Sequence, residues 1–310
     1  MITIGKEKFI RQMRIFVTGG TGFLGQHIVS SLLNGTHEIM LLRRSRKTLK
    51  HVSGCRVKTI TGDLNTLSTI KRDIIDFNPD ILIHLAWEGI PDFSFSLSKK
   101  NLDNSIKLIN LITQKTDCRK IIISGSCLEY GKTKGICRET DEVRINSYFA
   151  WAKHSLYQYA HLVCEEKKID LIWFRIFYVY GPGQRKGALI PGLVQSFRQN
   201  SALSLEDPFN ANDFVCVLDV IKAFSLSVEK KIKTGIYNLG RGHSTRVIDI
   251  CKLVEKQIRE SVDISKKLES SSHTTTGHSD FWADIDKSKK AFSWAPEISI
   301  QRGIKNNLDH

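Results

Sequence analysis

Apolar residues fall in short unbroken runs through the first half of the chain, and amphipathic stretches separate them. The runs at 15–18, 38–42, 57–60, 81–85 and 120–124 are four or five residues long, the length of buried strands. The stretches at 25–33, 67–77 and 101–114 carry their apolar residues at helical spacing. Strands that are apolar on both faces and alternate with helices predict a parallel sheet with a helical layer on each side. A longer helix is predicted over 149–167 and a sixth strand over 171–176. Past Gly181 the pattern loosens. It predicts loops at 182–187 and 206–212, a strand over 235–239, a helix over 247–259 and a Ser/Thr-rich loop over 268–277.

The first strand runs into Gly19-Gly20-Thr21-Gly22-Phe23-Leu24-Gly25. Gly19 allows a tight turn, Gly22 allows a pyrophosphate close to the backbone, and Gly25 allows helix and strand to pack closely. The amides of Phe23, Leu24 and Gly25, at the positive end of the following helix, then hold the phosphates. Glycines alone are weak grounds, but here they sit between a predicted strand and a predicted helix. The fold expected is therefore α/β, a Rossmann-type doubly wound parallel sheet. It occupies mainly residues 13–180. A smaller interleaved α/β lobe for substrate, mainly 181–310, returns in part to the sheet. Residues 1–12, charged and ahead of the first strand, read as an N-terminal extension.

The second strand ends in Leu42-Arg43-Arg44-Ser45, where a site for NAD usually carries an acid for the ribose hydroxyls. Arg43 and Arg44 suit the 2′-phosphate of NADP instead, with two solvated arginines as the bland alternative. NADPH is thus the expected cofactor and NAD the alternative.

With 310 residues, 41% of them hydrophobic, the chain can bury a full core. No apolar run approaches the roughly 20 residues of a membrane helix, and no apolar leader opens the chain. Neither a membrane partner nor secretion is expected. The seven cysteines are scattered and never spaced C-x-x-C, so neither a disulfide framework nor a metal site is expected, which fits a cytoplasmic location. The net charge of +14 has no nucleic-acid motif beside it. It reads as a solvated surface, and next as attraction for anionic small molecules; no nucleic-acid partner is expected.

From Met13 to about Pro296 the sequence resembles the extended short-chain dehydrogenase/reductases, in particular the NAD(P)-dependent epimerase/dehydratase family. Thr18–Gly25 is similar to its phosphate fingerprint. Gly62-Asp63-Leu64 is similar to its adenine-contacting segment, and Ile83-His84-Leu85-Ala86 to the strand beside the riboses. Asn101 matches its helix-start asparagine. Ser124-Gly125-Ser126-Cys127-Leu128-Glu129-Tyr130-Gly131 resembles its catalytic strand end, and Tyr180-Gly181-Pro182-Gly183 its turn into the substrate lobe. Asp213-Phe214-Val215 with Asp219-Val220, then Gly235–Gly240, then Ala283-Asp284 through Trp294-Ala295-Pro296, resemble its later segments. The resemblance implies a bound nicotinamide, a nucleoside-diphosphate sugar as substrate, Ser126 as the hydroxyl that orients the sugar oxygen, and a homodimer through the helices of Asn101 and Phe149.

The family pairs a tyrosine with a lysine four residues later, on one helix face. The tyrosine passes a proton to or from the sugar oxygen while hydride moves at the nicotinamide, and the lysine binds the nicotinamide ribose. Here Lys153 is the lysine, and four residues before it stands Phe149. Tyr148 is one step further back, about 140° around a regular helix from Lys153 instead of about 40°. Three readings stay open. Tyr148 reaches the site from a loose helix start, or Tyr130, Cys127 or a water carries the proton, or the protein binds dinucleotide without catalysis. The family's asparagine and arginine are replaced by Tyr178 and Asn212, which leaves Arg185, Lys186 or Arg241 as candidate phosphate partners. Glu88, past the fourth strand, is a candidate for sugar hydroxyls or a solvated loop acid. His84, Trp151, Tyr157 and Tyr159 read as packing residues, His273 and His278 as loop residues.

These expectations point to NADPH-dependent reduction of the 4-keto group of a nucleotide-linked 4-keto-6-deoxy sugar, dTDP-linked first, as in the making of surface polysaccharides. The rivals are a 4-epimerase or dehydratase, and a regulator that kept the fold and lost catalysis.

Overall fold

The computed structural model describes residues 12–44, 56–201, 203, 205, 207–271 and 278–308. The expected extension at 1–12 lies, but for Gln12, outside the described residues, as do Ser45 and His273.

Seven parallel strands form the centre of the molecule. The first five are β1 (Arg14–Thr18), β2 (Glu38–Arg43), β3 (Val57–Thr61), β4 (Ile81–His84) and β5 (Lys120–Ser124). Strands Asp170–Ile176 and Gly235–Leu239 complete the sheet. Across it the order is β3, β2, β1, β4, β5, Asp170–Ile176, Gly235–Leu239. β1 sits in the middle, with Val17 opposite Leu41 of β2 on one side and Ile83 of β4 on the other. The chain leaves β1 toward β2 and later returns on the far side, so a crevice opens at the carboxyl ends of these strands, where open α/β sheets bind ligands.

The strands are apolar on both faces because both are covered. On one face Ile15 and Val17 pack with Ile28, Ile172, Phe174 and Phe224 under helix α1 (Phe23–Leu33) and helix Val217–Glu229. On the other, Phe16, Leu82 and Ile121 pack with Leu108, Ile112 and Leu156. Those last three come from helices α3 (Phe95–Lys115) and α4 (Tyr148–Lys167). Neighbours along a strand point to opposite layers, so Ile15 and Phe16 belong to different cores. Each fully buried aliphatic or phenyl side chain contributes about 1.5–3 kcal/mol. The edge strand β3 leaves Lys58, Thr59 and Thr61 exposed to water, with Ile60 buried.

Several expectations change. The segment expected as one helix over 67–77 divides into a 3-10 segment, Leu64–Thr69, itself kinked at Thr66, and a short helix α2, Lys71–Phe77, with Ile70 off helical geometry between them. α3 begins at Phe95, so Asn101 stands in its second turn rather than at its start. The region past Gly181 is more regular than its pattern suggested. Helices Leu189–Gln199 and Val217–Glu229 form there, and a third core gathers Ile190, Leu193, Phe197, Val254 and Ile304. Short buried helices separated by two- and three-residue strands offer too little periodicity to read. The expected loop at 268–277 is helical up to Ser271, the end of helix Asp263–Ser271; residues 272–277 lie outside the described residues.

Candidate functional site

A cleft opens where β1 and β4 part. Its wall includes Gly19, Thr21 and Gly22 from the turn after β1, Leu42 and Arg44 from the end of β2, and Gly62, Asp63, Leu64 and Asn65 after β3. Leu85, Ala86, Trp87 and Glu88 after β4 close it, with Asn101, Asn104 and Ser105 of α3.

The glycine turn is built by exclusion. Gly19 has φ of +71°, and a Cβ there would meet Ala86 N at 2.6 Å, so only glycine lets β1 turn against the loop after β4. A Cβ on Gly25 would strike the Gly19 carbonyl and Gly20 Cα, so glycine is what seats α1 on the turn. Gly22 is the N-cap of α1 and brings no capping side chain. The first-turn amides of Phe23, Leu24 and Gly25 therefore depend on something outside the helix for partners. These three residues follow the cleft residue Gly22 as the first turn of α1, and Arg43, between the cleft residues Leu42 and Arg44, has its Nε buried and without a partner among the described residues. Asp63 faces the cleft while its Oδ1 accepts from the backbone N–H of Asn65 at 2.8 Å, which holds the turn after β3 in place.

Arg44 reaches the cleft, and it is paired. Its Nη1 lies 2.7 Å from Glu88 Oε1, and Lys100 Nζ lies 2.8 Å from Glu88 Oε2. Glu88 was a candidate for sugar hydroxyls; it sits instead on the wall opposite Arg44. Asn101 fixes the loop that carries it, accepting from Glu88 N at 2.7 Å and donating to Glu88 O at 3.0 Å.

Below the wall, His84 is 2% exposed and joins three elements. Ser105 Oγ donates to Asn101 O, so it accepts from His84 Nε2 at 2.9 Å, and Thr18 Oγ1 donates to His84 Nδ1 at 2.6 Å. Burial, with the nearby Lys153 charge, pushes the imidazole down to about 3. It is a neutral strut between β1, β4 and α3, as its place in an apolar run suggested.

Lys153 is 5% exposed, and its Nζ donates to Ser124 O at the end of β5 at 2.8 Å. The Trp87 indole covers the ammonium, 3.9 Å from ring centroid to Nζ. Phe149 packs edge-on to Trp87 at 5.5 Å and against Phe93 at 4.7 Å. Burial pushes Lys153 down to about 7, and Glu129 opposes that shift. Tyr148 is elsewhere. It is 55% exposed, and its ring meets Phe95 of α3 at 5.3 Å, on the side of α4 that its helical offset dictates.

The other proton candidates are also engaged. Tyr130 is buried, donates to Asn238 Oδ1 at 2.8 Å and lies under the Arg175 guanidinium; burial raises its pKa. Cys127 is buried and its thiol is pushed up. Ser126 is half-buried. Its Oγ accepts from Leu128 N at 3.2 Å and its N–H donates to Glu129 Oε1 at 2.8 Å. Glu129 is itself held by Trp173 and by a buried ion pair to Arg175 Nε at 3.1 Å. This charged pillar under Ser126 was not foreseen, although the acid in the Ser-rich strand end and the arginine in a buried strand were both visible.

In the second lobe, Tyr178 packs between Phe214 and Phe281. Asn212 Oδ1 and Arg241 Nε are buried without partners among the described residues, while Arg185 and Lys186 are exposed. Buried polar atoms that lack partners are usually met by water or ligand.

The model of the NAD dependent epimerase/dehydratase family matches residues 15–240. The chain belongs to that family. Its relatives include the human dTDP-D-glucose 4,6-dehydratase, 24% identical, with 96% of this chain and 89% of that protein covered. An uncharacterized UDP-glucose epimerase of Bacillus subtilis is also 24% identical, covering 96% and 97%. A UDP-glucose 4-epimerase of Thermotoga maritima, solved with UDP-glucose, shares the fold at TM-score 0.82 and 22% identity, covering 96% and 98%. MoeE5, solved with UDP-glucuronic acid and NAD, shares it at 0.79 and 21%, over the same shares of the two chains.

The resemblance of the fingerprint to this epimerase/dehydratase family, the extended short-chain type, is thus shown, and the family is NAD-dependent. The residues present fit such a dinucleotide: the turn excludes side chains, and α1 is uncapped over the cleft. Beside Tyr178 and Asn212, a third position departs from the family pattern: four residues before Lys153, Phe149 adds an aromatic wall and no phenol.

Proposed function

We propose that this family member reduces the 4-keto group of a nucleotide-activated 4-keto-6-deoxy sugar, dTDP-linked first, with NADPH, toward deoxysugars for surface polysaccharide. The observation that carries the reading is Arg44, a guanidinium on the cleft wall at the end of β2, where an enzyme dedicated to NAD would carry an acid. Two of the proteins named above, a 4,6-dehydratase and a 4-epimerase, support chemistry centred on C4 of a nucleotide sugar. Cys127-Leu128 beside Ser126 offers no acid of the kind dehydration would use.

A bound nicotinamide supplies the hydride. In this reading the first turn of α1 and the Gly19–Gly22 turn bind the diphosphate, and Asp63 and Leu64 border the adenine. Lys153 holds the nicotinamide ribose once Trp87 yields its ring contact, and Ser126 orients the sugar oxygen. With Phe149 one helical turn before Lys153, Tyr148 turned to Phe95 and Tyr130 bonded to Asn238, this reading takes the proton from the Lys153 ammonium or from a water it holds. Tyr178, Asn212 and Arg241 take the nucleotide-sugar end, with Arg185 at the rim. The working unit is a cytoplasmic homodimer.

A second reading, 4-epimerisation with retained NAD, is favoured by the names of the relatives. The test is oxidation of NADPH against a panel of 4-keto nucleotide sugars, with product analysis for C4 inversion. Stoichiometric NADPH loss supports reduction. Inversion without net loss supports epimerisation and ends the reductase reading. Dinucleotide binding with no turnover of any sugar ends both and leaves a regulator.

A further inference from the structure

Two opposite selectors face each other on the rim of the cleft. In dinucleotide folds an acid at the end of β2 accepts the ribose hydroxyls, and a cation there accepts a 2′-phosphate. Here β2 brings the cation, Arg44, and the loop after β4 brings a carboxylate, Glu88, to within 2.7 Å of it. Lys100 of α3 holds the other carboxylate oxygen at 2.8 Å. Exposed ion pairs are ordinarily loose. This one is anchored from behind, because Asn101 clamps the Glu88 backbone on both its N–H and its carbonyl, and also donates to Leu97 O at 2.9 Å. The Glu88 backbone is thereby fixed, its carboxylate is held between Arg44 and Lys100, and Glu88 lines the same cleft as Gly62 and Asp63, where the adenosine end of a dinucleotide would lie.

We propose that Glu88 is a cofactor-selectivity residue: by holding Arg44 it limits affinity for the 2′-phosphate of NADP(H), and it offers the ribose hydroxyl of NAD(H) the acceptor that β2 does not supply. This rests on the reading that the cleft takes a nicotinamide dinucleotide. The triad of Arg44, Glu88 and Lys100, drawn from three elements, sets the balance. A 2′-phosphate that reaches Arg44 carries nearly two negative charges to within a few ångströms of Glu88. The resulting repulsion is worth a several-fold change in affinity at low salt and is screened at high salt.

The experiment is titration of the full chain with NAD and with NADP, read by tryptophan fluorescence and calorimetry, for the wild type, Glu88→Gln, Arg44→Gln and the double variant. Glu88→Gln should raise the preference for NADP over NAD by about five- to tenfold at low ionic strength, and by less in high salt. Arg44→Gln should lower that preference, and in its background Glu88→Gln should favour NADP by less than it does with Arg44 present, because only the release of Arg44 is lost. A preference that Glu88→Gln leaves within twofold of wild type, while both dinucleotides still bind, overturns the assignment of Glu88 and leaves the cleft reading standing. If wild type binds neither dinucleotide, both fall. Unfolding midpoints of the variants, set against wild type, separate altered selectivity from a damaged fold.

Discussion

The turn after β1 and the start of α4 lie at the same edge of one sheet, and they relate to their family in opposite ways. The turn keeps every feature that phosphate binding needs: Gly19 at positive φ against Ala86, Gly25 under the turn, and an uncapped helix end. The start of α4 keeps Lys153 and its bond to Ser124 but puts Phe149 where a phenol is expected, and roofs the lysine with Trp87. The first region is constrained by backbone sterics, which admit one residue type. The second is constrained by chemistry, and chemistry can be rerouted while the packing is kept. A phenyl ring fills nearly the volume of a phenol, so the fold tolerates the change that the reaction must answer.

Breaking the first region should cost most. Gly19→Val places a branched side chain at φ of +71° against Ala86 N, and dinucleotide affinity should fall at least about 100-fold, measured by titration with circular dichroism to check the fold. Lys153→Ala comes next. Turnover should fall about 100-fold, with dinucleotide affinity falling far less, if the ammonium positions the ribose and serves proton transfer. Because Lys153 is pushed down to about 7, the lysine-dependent rate should decline above about pH 7, and the pH profile of the variant should be flat there. Tyr148→Phe should stay within about twofold of wild type, since that ring faces Phe95 and solvent.

Phe149→Tyr sharpens the comparison from the other side. It restores a phenol one helical turn before Lys153, and turnover should rise about tenfold, short of the ~100-fold or more that a fully positioned general acid contributes. No rise would show that the missing phenol is not what limits the rate. The smallest effect concerns His84. Its folded pKa near 3 lies below the ordinary 6.5, so between those values the unfolded chain binds the proton and the folded chain does not. The stability His84 contributes is present above pH 6.5 and drains as pH falls toward 3. His84→Gln should flatten that slope in urea unfolding measured across the window, at the cost of a lower plateau near pH 7.

The glycine turn, the parallel alternation and the replacement of tyrosine by Phe149 were all legible in the sequence, because each is a local pattern of period, spacing or residue type. Boundaries drifted where periodicity was short: α3 began earlier, at Phe95, and the 67–77 segment broke at Ile70. The helices of the second lobe were hidden in the same way.

What the tertiary structure alone decided is who meets whom at the carboxyl edge of the sheet. The sequence named Arg44, Glu88, Lys153 and Glu129 without giving any of them a partner. Sheet order brings the end of β2 to the loop after β4 although 44 positions separate Arg44 from Glu88, and it lays β5 beside Asp170–Ile176, so that Glu129 can reach Arg175, 46 positions on. Local patterns encode which element a segment becomes. The partners of a charged side chain depend on how all the elements close around one core, and no window of sequence contains that.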